Sequence, residues 1–320
     1  MKKVIAILLI SSFIGIITAS CGPDGHNSVR RFTIEETYKI KAGMNRRSYL
    51  TVLLPRSYGY QRIDNIAVAG ADDFEIEDLS DYSVLHAEIN GNDGNITIHI
   101  SYDVTLTQGA ISWDFTGDEK NLEPEALIES DDHLIIETAK SQQKQDQNDT
   151  VRSISHFVSS EIKFDDSVKI NVEPQNAVKT LTDKKGVCAD YANLMTALLR
   201  ADGIPARSVS GIVLNSLGKI QEWNHQGGSH AWVEFYVNGK WHFADPTWGD
   251  RYLDNSDGYH LSYGDDGLGT ILYNKLLSSF KDDKTLTIIG AMSAPLKFIL
   301  ASTDSNATVI PSASVKNQNE

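Results

Sequence analysis

The sequence predicts an α+β protein in which a small antiparallel β-sandwich precedes a domain that mixes helices with a β-hairpin. Three observations carry this expectation. Residues 31–118 hold short, regularly spaced segments of alternating polarity with few helical signals. Residues 119–203 switch to the i, i+3, i+4 spacing of amphipathic helices. Asn238-Gly239 then joins two alternating runs, a strong hairpin signal. The 320 residues are enough for two domains or one large one.

The amino end reads as an export signal over residues 1–20. Lys2 and Lys3 make a charged start, and Val4 to Ile17 is apolar. That run is too short for a comfortable membrane span of about 20 residues. It closes on Ile17-Thr18-Ala19-Ser20-Cys21, and small residues before a cysteine resemble the lipobox of bacterial lipoproteins. The resemblance implies that Cys21 is lipidated and heads the mature chain, with residues 21–30 as a polar tether. An ordinary cleaved signal is the alternative. The expected location is the bacterial cell envelope, lipid-anchored to membrane.

The formal charge is −14, and loss of Lys2 and Lys3 would make it −16. So acidic a chain argues against nucleic acid and against polybasic membrane contacts. Only two cysteines are present. With Cys21 lipidated, Cys188 has no intramolecular partner, and a lone thiol in an oxidising compartment is a candidate reactive group.

In the first domain, Phe32 to Ile40, Tyr49 to Pro55 and Asn95 to Val104 read as strands with β-branched and aromatic residues at period two. Asn92-Asp93-Gly94-Asn95 marks a hairpin turn. His86 and His99 lie on strand-like segments far from other ligand candidates, so this domain is expected to bind or to space rather than to carry chemistry.

Next comes the helical run. Ser130 or Asp131 is a plausible cap for a helix beginning near residue 131. Ser141 to Asp149 reads as a polar loop with a capping end, and Val151, Ile154, Phe157 and Val158 as the stripe of a second helix. Pro174 opens a short third helix. Gly186 would let the chain turn sharply into a fourth, with apolar or small residues at Cys188, Tyr191, Ala192, Met195, Leu198 and Leu199. Gly203-Ile204-Pro205 stops it. Cys188 thus sits at the positive end of a helix dipole, where an anionic sulfur is favoured.

Hairpin register follows from the turn. If Val237 pairs with Lys240, Asp245 faces Trp232 and His230 faces Thr247. His230 and Asp245 are then same-face diagonal neighbours, roughly 7–8 Å apart at the backbone. A carboxylate can orient the imidazole, and the imidazole can take a thiol proton. Asp245 before Pro246 also suits a turn-capping aspartate. Trp232, Trp248 and His225 are candidate substrate-cleft residues. His242 falls on the opposite hairpin face from Asp245, and His260 lies further on, after an acidic loop.

At these residues the chain resembles the bacterial transglutaminase-like family, relatives of the papain fold. The resemblance runs from about Leu122 to Tyr263. It rests on Gly186 to Leu194, on Ala201 to Gly211, on His230-Ala231-Trp232-Val233-Glu234 and on Asp245-Pro246-Thr247-Trp248. It implies a catalytic domain over 119–280 with a cysteine-bearing helix packed on an antiparallel sheet. It also implies Cys188 as nucleophile, His230 as base and acid, and Asp245 as orienting carboxylate. Asp254-Asn255-Ser256-Asp257-Gly258 lacks the spacing and closing glutamate of a calcium loop. No metal or cofactor is expected. Ile271 to Phe280 reads as a helix, and residues 281–320 as C-terminal strands followed by a disordered tail from Ala301.

The function these residues suggest is that of an envelope lipoprotein acting as a cysteine peptidase or amidase through a thioester, on a peptide or protein substrate. A cross-linking transglutaminase and a non-catalytic binding module are the alternatives.

Overall fold

A computed structural model describes residues 28–43, 47–78, 82–90, 94–114, 119–165, 174–215, 229–265, 287–291 and 298–318. Its first strands are β1 (Ser28–Lys41), β2 (Arg47–Leu54), β3 (Gln61–Ala69), β4 (Asp73–Asp78), β5 (Ser83–Asn90), β6 (Asn95–Ala110) and β7 (Ser112–Trp113). Then follow α1 (His133–Gln142), α2 (Gln147–Glu161), β8 (Lys163–Phe164), α3 (Ala177–Asp183), β9 (Lys185–Gly186) and α4 (Cys188–Ala201). The rest is strand: β10 (Ala206–Val213), β11 (Ser229–Val237), β12 (Lys240–Ala244), β13 (Asn255–Asp257), β14 (His260–Asp265), β15 (Thr287–Ala291), β16 (Phe298–Ser302) and β17 (Thr308–Asn317). No described helix is long and apolar enough to cross a membrane.

Two sheets form the sandwich. One runs β13-β6-β1-β17 with β3 also on β6; the other runs β15-β16-β2-β5-β4. Period-two burial along β1 sends Phe32, Ile34, Glu36, Tyr38 and Ile40 inward. They meet Leu50, Val52, Leu85 and Leu300 of the other sheet in one core. A third sheet runs β14-β10-β11-β12-β7. Helices cover one of its faces, where Ile154, Met195 and Leu198 pack with Val233 and Phe235. Tyr60 from the sandwich packs with Trp232, Trp241 and Phe243 in a separate aromatic cluster.

The structure corrects the reading of the tail. Thr308–Asn317 is a strand, paired with β1 from Phe32↔Asn317 to Lys41↔Thr308. Its composition is polar, but Val309, Ala313 and Val315 recur at even spacing and pack against the sandwich core. β16 likewise pairs with β2. The sandwich is therefore built from both ends of the chain. Helix starts also differ by a few residues. Asp132 caps α1 through Leu134 N–H at 2.8 Å, and Asp146 caps α2, which begins inside the expected polar loop. The helix expected over Ile271 to Phe280 lies outside the described residues.

Glu36 is a buried carboxylate whose hydrogen-bond partners are phenols. Tyr38 Oη donates to it at 2.6 Å and Tyr102 Oη at 2.7 Å, and Tyr102 Oη lies 3.0 Å from Tyr263 Oη on β14. Burial outweighs these bonds and pushes its pKa up from 4.5 to about 7. The native state therefore holds this proton more tightly than the unfolded chain, and stability falls as pH rises between those two values. Glu36→Gln should remove that dependence. It is expected to gain up to about 3 kcal/mol over wild type at pH 8 relative to pH 4. Urea midpoints at the two pH values check this, and an equal gap at both would refute it.

Candidate active site

Cys188 is the first residue of α4, with Val187 as its N-cap in extended conformation. It is half-buried and free. The turn before it is fastened by Asp190, whose buried carboxylate accepts Val187 N–H at 2.8 Å and Gln175 N–H at 2.6 Å. Gly186 serves this turn by close approach, because a Cβ there would lie 2.5 Å from Asp190 Cβ. The acid two residues past the cysteine is a legible signal for an N-terminal capping interaction that the sequence reading passed over.

The hairpin keeps its expected register from Val237↔Lys240 to Val233↔Ala244, with no bulge. Beyond Ala244 the chain turns, and Asp245 makes two contacts at once. Its Oδ1 accepts Thr247 N–H at 2.9 Å, as a turn-forming aspartate does. Its Oδ2 lies 2.7 Å from His230 Nε2. Both side chains are buried, and Cys188 lies near enough to the same ring to raise its pKa. With Nε2 taken by Asp245, Nδ1 is the nitrogen left for the thiol. Sulfur, imidazole and carboxylate thus converge from α4, β11 and the turn after β12.

The electrostatics follow from that contact. Burial works to strip the proton from His230, but the charge and hydrogen bond of Asp245 outweigh it, Cys188 adds to them, and the pKa is raised. For Asp245, burial pushes upward while the imidazolium of His230 and the hydrogen bonds of both histidines pull harder, holding the carboxyl well below the usual range. The pair is an ion pair at neutral pH.

Trp248 stacks on His230, ring centroids 4.7 Å apart and 18° from parallel, and is half-buried. Trp232 is corrected. It is fully buried, its Nε1 donates to Tyr60 Oη at 3.0 Å, and it belongs to the core, out of a substrate's reach. The strand is covered on both faces, so its alternation hides which side opens to solvent. His225 and Cys21 lie outside the described residues. His242 points away as expected, bonded to Asp254 Oδ1 at 2.8 Å.

His260 is the residue that sequence reasoning missed. Its Nε2 lies 3.3 Å from Asp245 Oδ2 and its Nδ1 lies 3.0 Å from Asp257 Oδ1. One signal was available: strand-like residues directly after the acidic loop. His230, Asp245 and His260 bring three ligand-type atoms within 4.8 Å, a composition that could hold a metal ion. Asp245 Oδ2 already bonds both rings, and hydrogen bonding accounts for the grouping. The carboxylates of the acidic loop are likewise engaged, Asp254 by His242 and Asp257 by His260.

The fold and this cluster define a class: an α+β thiol-site protein with a cysteine at a helix start and a His–Asp pair on an antiparallel sheet. Residues 136–246, which include all three side chains, match the transglutaminase-like superfamily, and the chain carries a domain of that superfamily. A protein-glutamine gamma-glutamyltransferase of Pseudomonas aeruginosa is 41% identical over 68 residues, 20% of this chain and 10% of that protein. The kyphoscoliosis peptidase of Homo sapiens is 29% identical over 107 residues, 32% of this chain and 16% of that one. The matched stretches span at most 22% of the curated relatives' lengths. A candidate cysteine protease from Cytophaga hutchinsonii shares the fold, with TM-score 0.55 at 17% identity over 92% of each chain.

Proposed function

We propose that this protein is a thiol-dependent acyl-transfer enzyme, a peptidase or amidase held at the cell envelope by lipid on Cys21. The convergence of Cys188, His230 and Asp245 carries this reading. His230, the imidazolium of the pair, holds on Nδ1 the proton taken from the thiol, and the Cys188 sulfur attacks an amide carbonyl. The tetrahedral oxyanion collapses as the C–N bond breaks. His230 returns the proton to the leaving amine, and a thioester remains. Water then gives a proton to His230 while its oxygen attacks the thioester, releasing the acid and the thiol. Asp245 keeps the ring in the one orientation that serves both halves. The Cys188 backbone N–H belongs to the helix-start amides that lack intrahelical acceptors, and it is a candidate oxyanion donor.

An amine in place of water would make the same thioester a cross-linking intermediate, and the named activity of the Pseudomonas aeruginosa relative favours keeping that second reading. The test is to incubate wild type and Cys188→Ala with envelope peptides and a fluorescent primary amine. Wild type is expected to release peptide fragments without incorporating the amine. Amine incorporation would move the reading to cross-linking. Identical products from both proteins would leave only a binding role.

A further inference from the structure

We propose that His260 is a positioning residue for the thiol site, wedged between Asp257 and Asp245 so that the Asp245 carboxylate is held in line with His230. This rests on the reading of Cys188, His230 and Asp245 given above.

The geometry is specific. His260 is fully buried, and both its ring nitrogens face carboxylate oxygens, Asp245 Oδ2 at 3.3 Å and Asp257 Oδ1 at 3.0 Å. A neutral imidazole has one N–H and one lone pair, so it would set that lone pair against one of the two carboxylates. The doubly protonated ring donates to both. Asp245 Oδ2 therefore lies between two rings, and a carboxylate held from two sides cannot swing away when His230 exchanges its proton.

Packing fixes His260 itself. Trp232 meets it edge-on at 5.1 Å and 87°, Phe243 at 5.1 Å and 75°, and Trp248 at 4.8 Å and 68°. The titratable groups around it are Asp245, Asp257, His230 with ring centroid at 5.6 Å, and Tyr252 at 6.1 Å. The strand that delivers it is drawn in tightly. Gly211 on β10 pairs with Ser262 on β14, and a Cβ at Gly211 would run into the Leu261 carbonyl and the Trp232 ring. The charge state agrees. Burial works to lower the His260 pKa, the bonds and charges of the two carboxylates outweigh it, and the pKa is raised. Asp257 is in turn held below its ordinary value: burial opposes this, but the bond and charge of His260 outweigh it.

The test is the pH dependence of Cys188 alkylation by iodoacetamide in the full chain. His260→Gln keeps one hydrogen bond and removes the positive charge, so the acid limb should move to higher pH by about one unit, tenfold in rate on that limb. Asp257→Asn, on the solvent side and milder for folding, should move it the same way by less. The double variant should move it no further than His260→Gln alone, because Asp257 acts through His260. A merely structural role would lower thermal stability and leave the limb in place, and that result overturns the inference, as would fully additive shifts. His230→Ala separates the two levels. A profile equal to wild type there defeats the thiol-site reading itself, and this inference with it. A changed profile there with an unmoved limb in His260→Gln defeats this inference alone.

Discussion

Asp245→Asn is expected to cut turnover by about four orders of magnitude while leaving the fold in place. The substitution keeps an oxygen for Thr247 N–H, which Asp245 Oδ1 now accepts at 2.9 Å, so the turn after β12 survives. What changes is the atom facing the rings. Asp245 Oδ2 accepts from His230 and His260; an amide nitrogen there is a donor and cannot. His230 must then turn Nε2 into the acceptor and carry its proton on Nδ1, the nitrogen needed to take the proton of Cys188. Cys188→Ala should abolish turnover, and combining it with Asp245→Asn should cost nothing more, since residues acting as a unit are not additive. Peptide-release rates for the three variants, with near-ultraviolet circular dichroism as the control for folding, decide this. Turnover within tenfold of wild type in a folded Asp245→Asn would remove the carboxylate from the chemistry.

The largest effect on stability is expected at Glu234→Ala. Arg207 donates to Glu234 Oε2 through Nε at 2.9 Å and pairs with it through a terminal nitrogen at 2.7 Å, and Tyr58 Oη donates to Oε1 at 2.8 Å. The Glu234 side chain has no exposure and Arg207 is 9% exposed, with its guanidinium 5.1 Å from the centre of the Trp241 ring. This pair, through Tyr58, ties the β14-β10-β11-β12-β7 sheet to the segment between β2 and β3. Removing the carboxylate takes the two-point anionic partner from a buried cation, at a cost of about 3–5 kcal/mol. Arg207→Met with Glu234→Leu should recover most of that loss, because no charge is then stranded. Urea unfolding of the single and double variants measures it. A loss under 1 kcal/mol in the single variant would show that water reaches the pair.

Much of the site was legible because its signals are local. The Asn238-Gly239 turn fixed the register that brings His230 beside Asp245 at 2.7 Å. The cysteine helix showed its stop in Gly203-Ile204-Pro205 and its apolar stripe in every third or fourth residue. What stayed hidden depends on pairing between distant residues. Thr308–Asn317 reads as a polar tail until β1 is beside it. Trp232 and Trp248 are both aromatic residues near the His–Asp pair, and only the covering of β11 by Tyr60 and Phe243 separates the buried one from the one that stacks on the imidazole. His260 reaches Asp245 through a close strand approach at Gly211, which no spacing in the chain announces.

The convergence of Cys188 and Asp245 on the His230 ring is tested most directly by a proton-NMR titration of that ring. In wild type the ring should hold its proton well above the ordinary imidazole value of about 6.5. The midpoint should drop strongly in Asp245→Asn, and drop by less in Cys188→Ala. A wild-type midpoint near 6.5 that neither substitution moves would contradict the account.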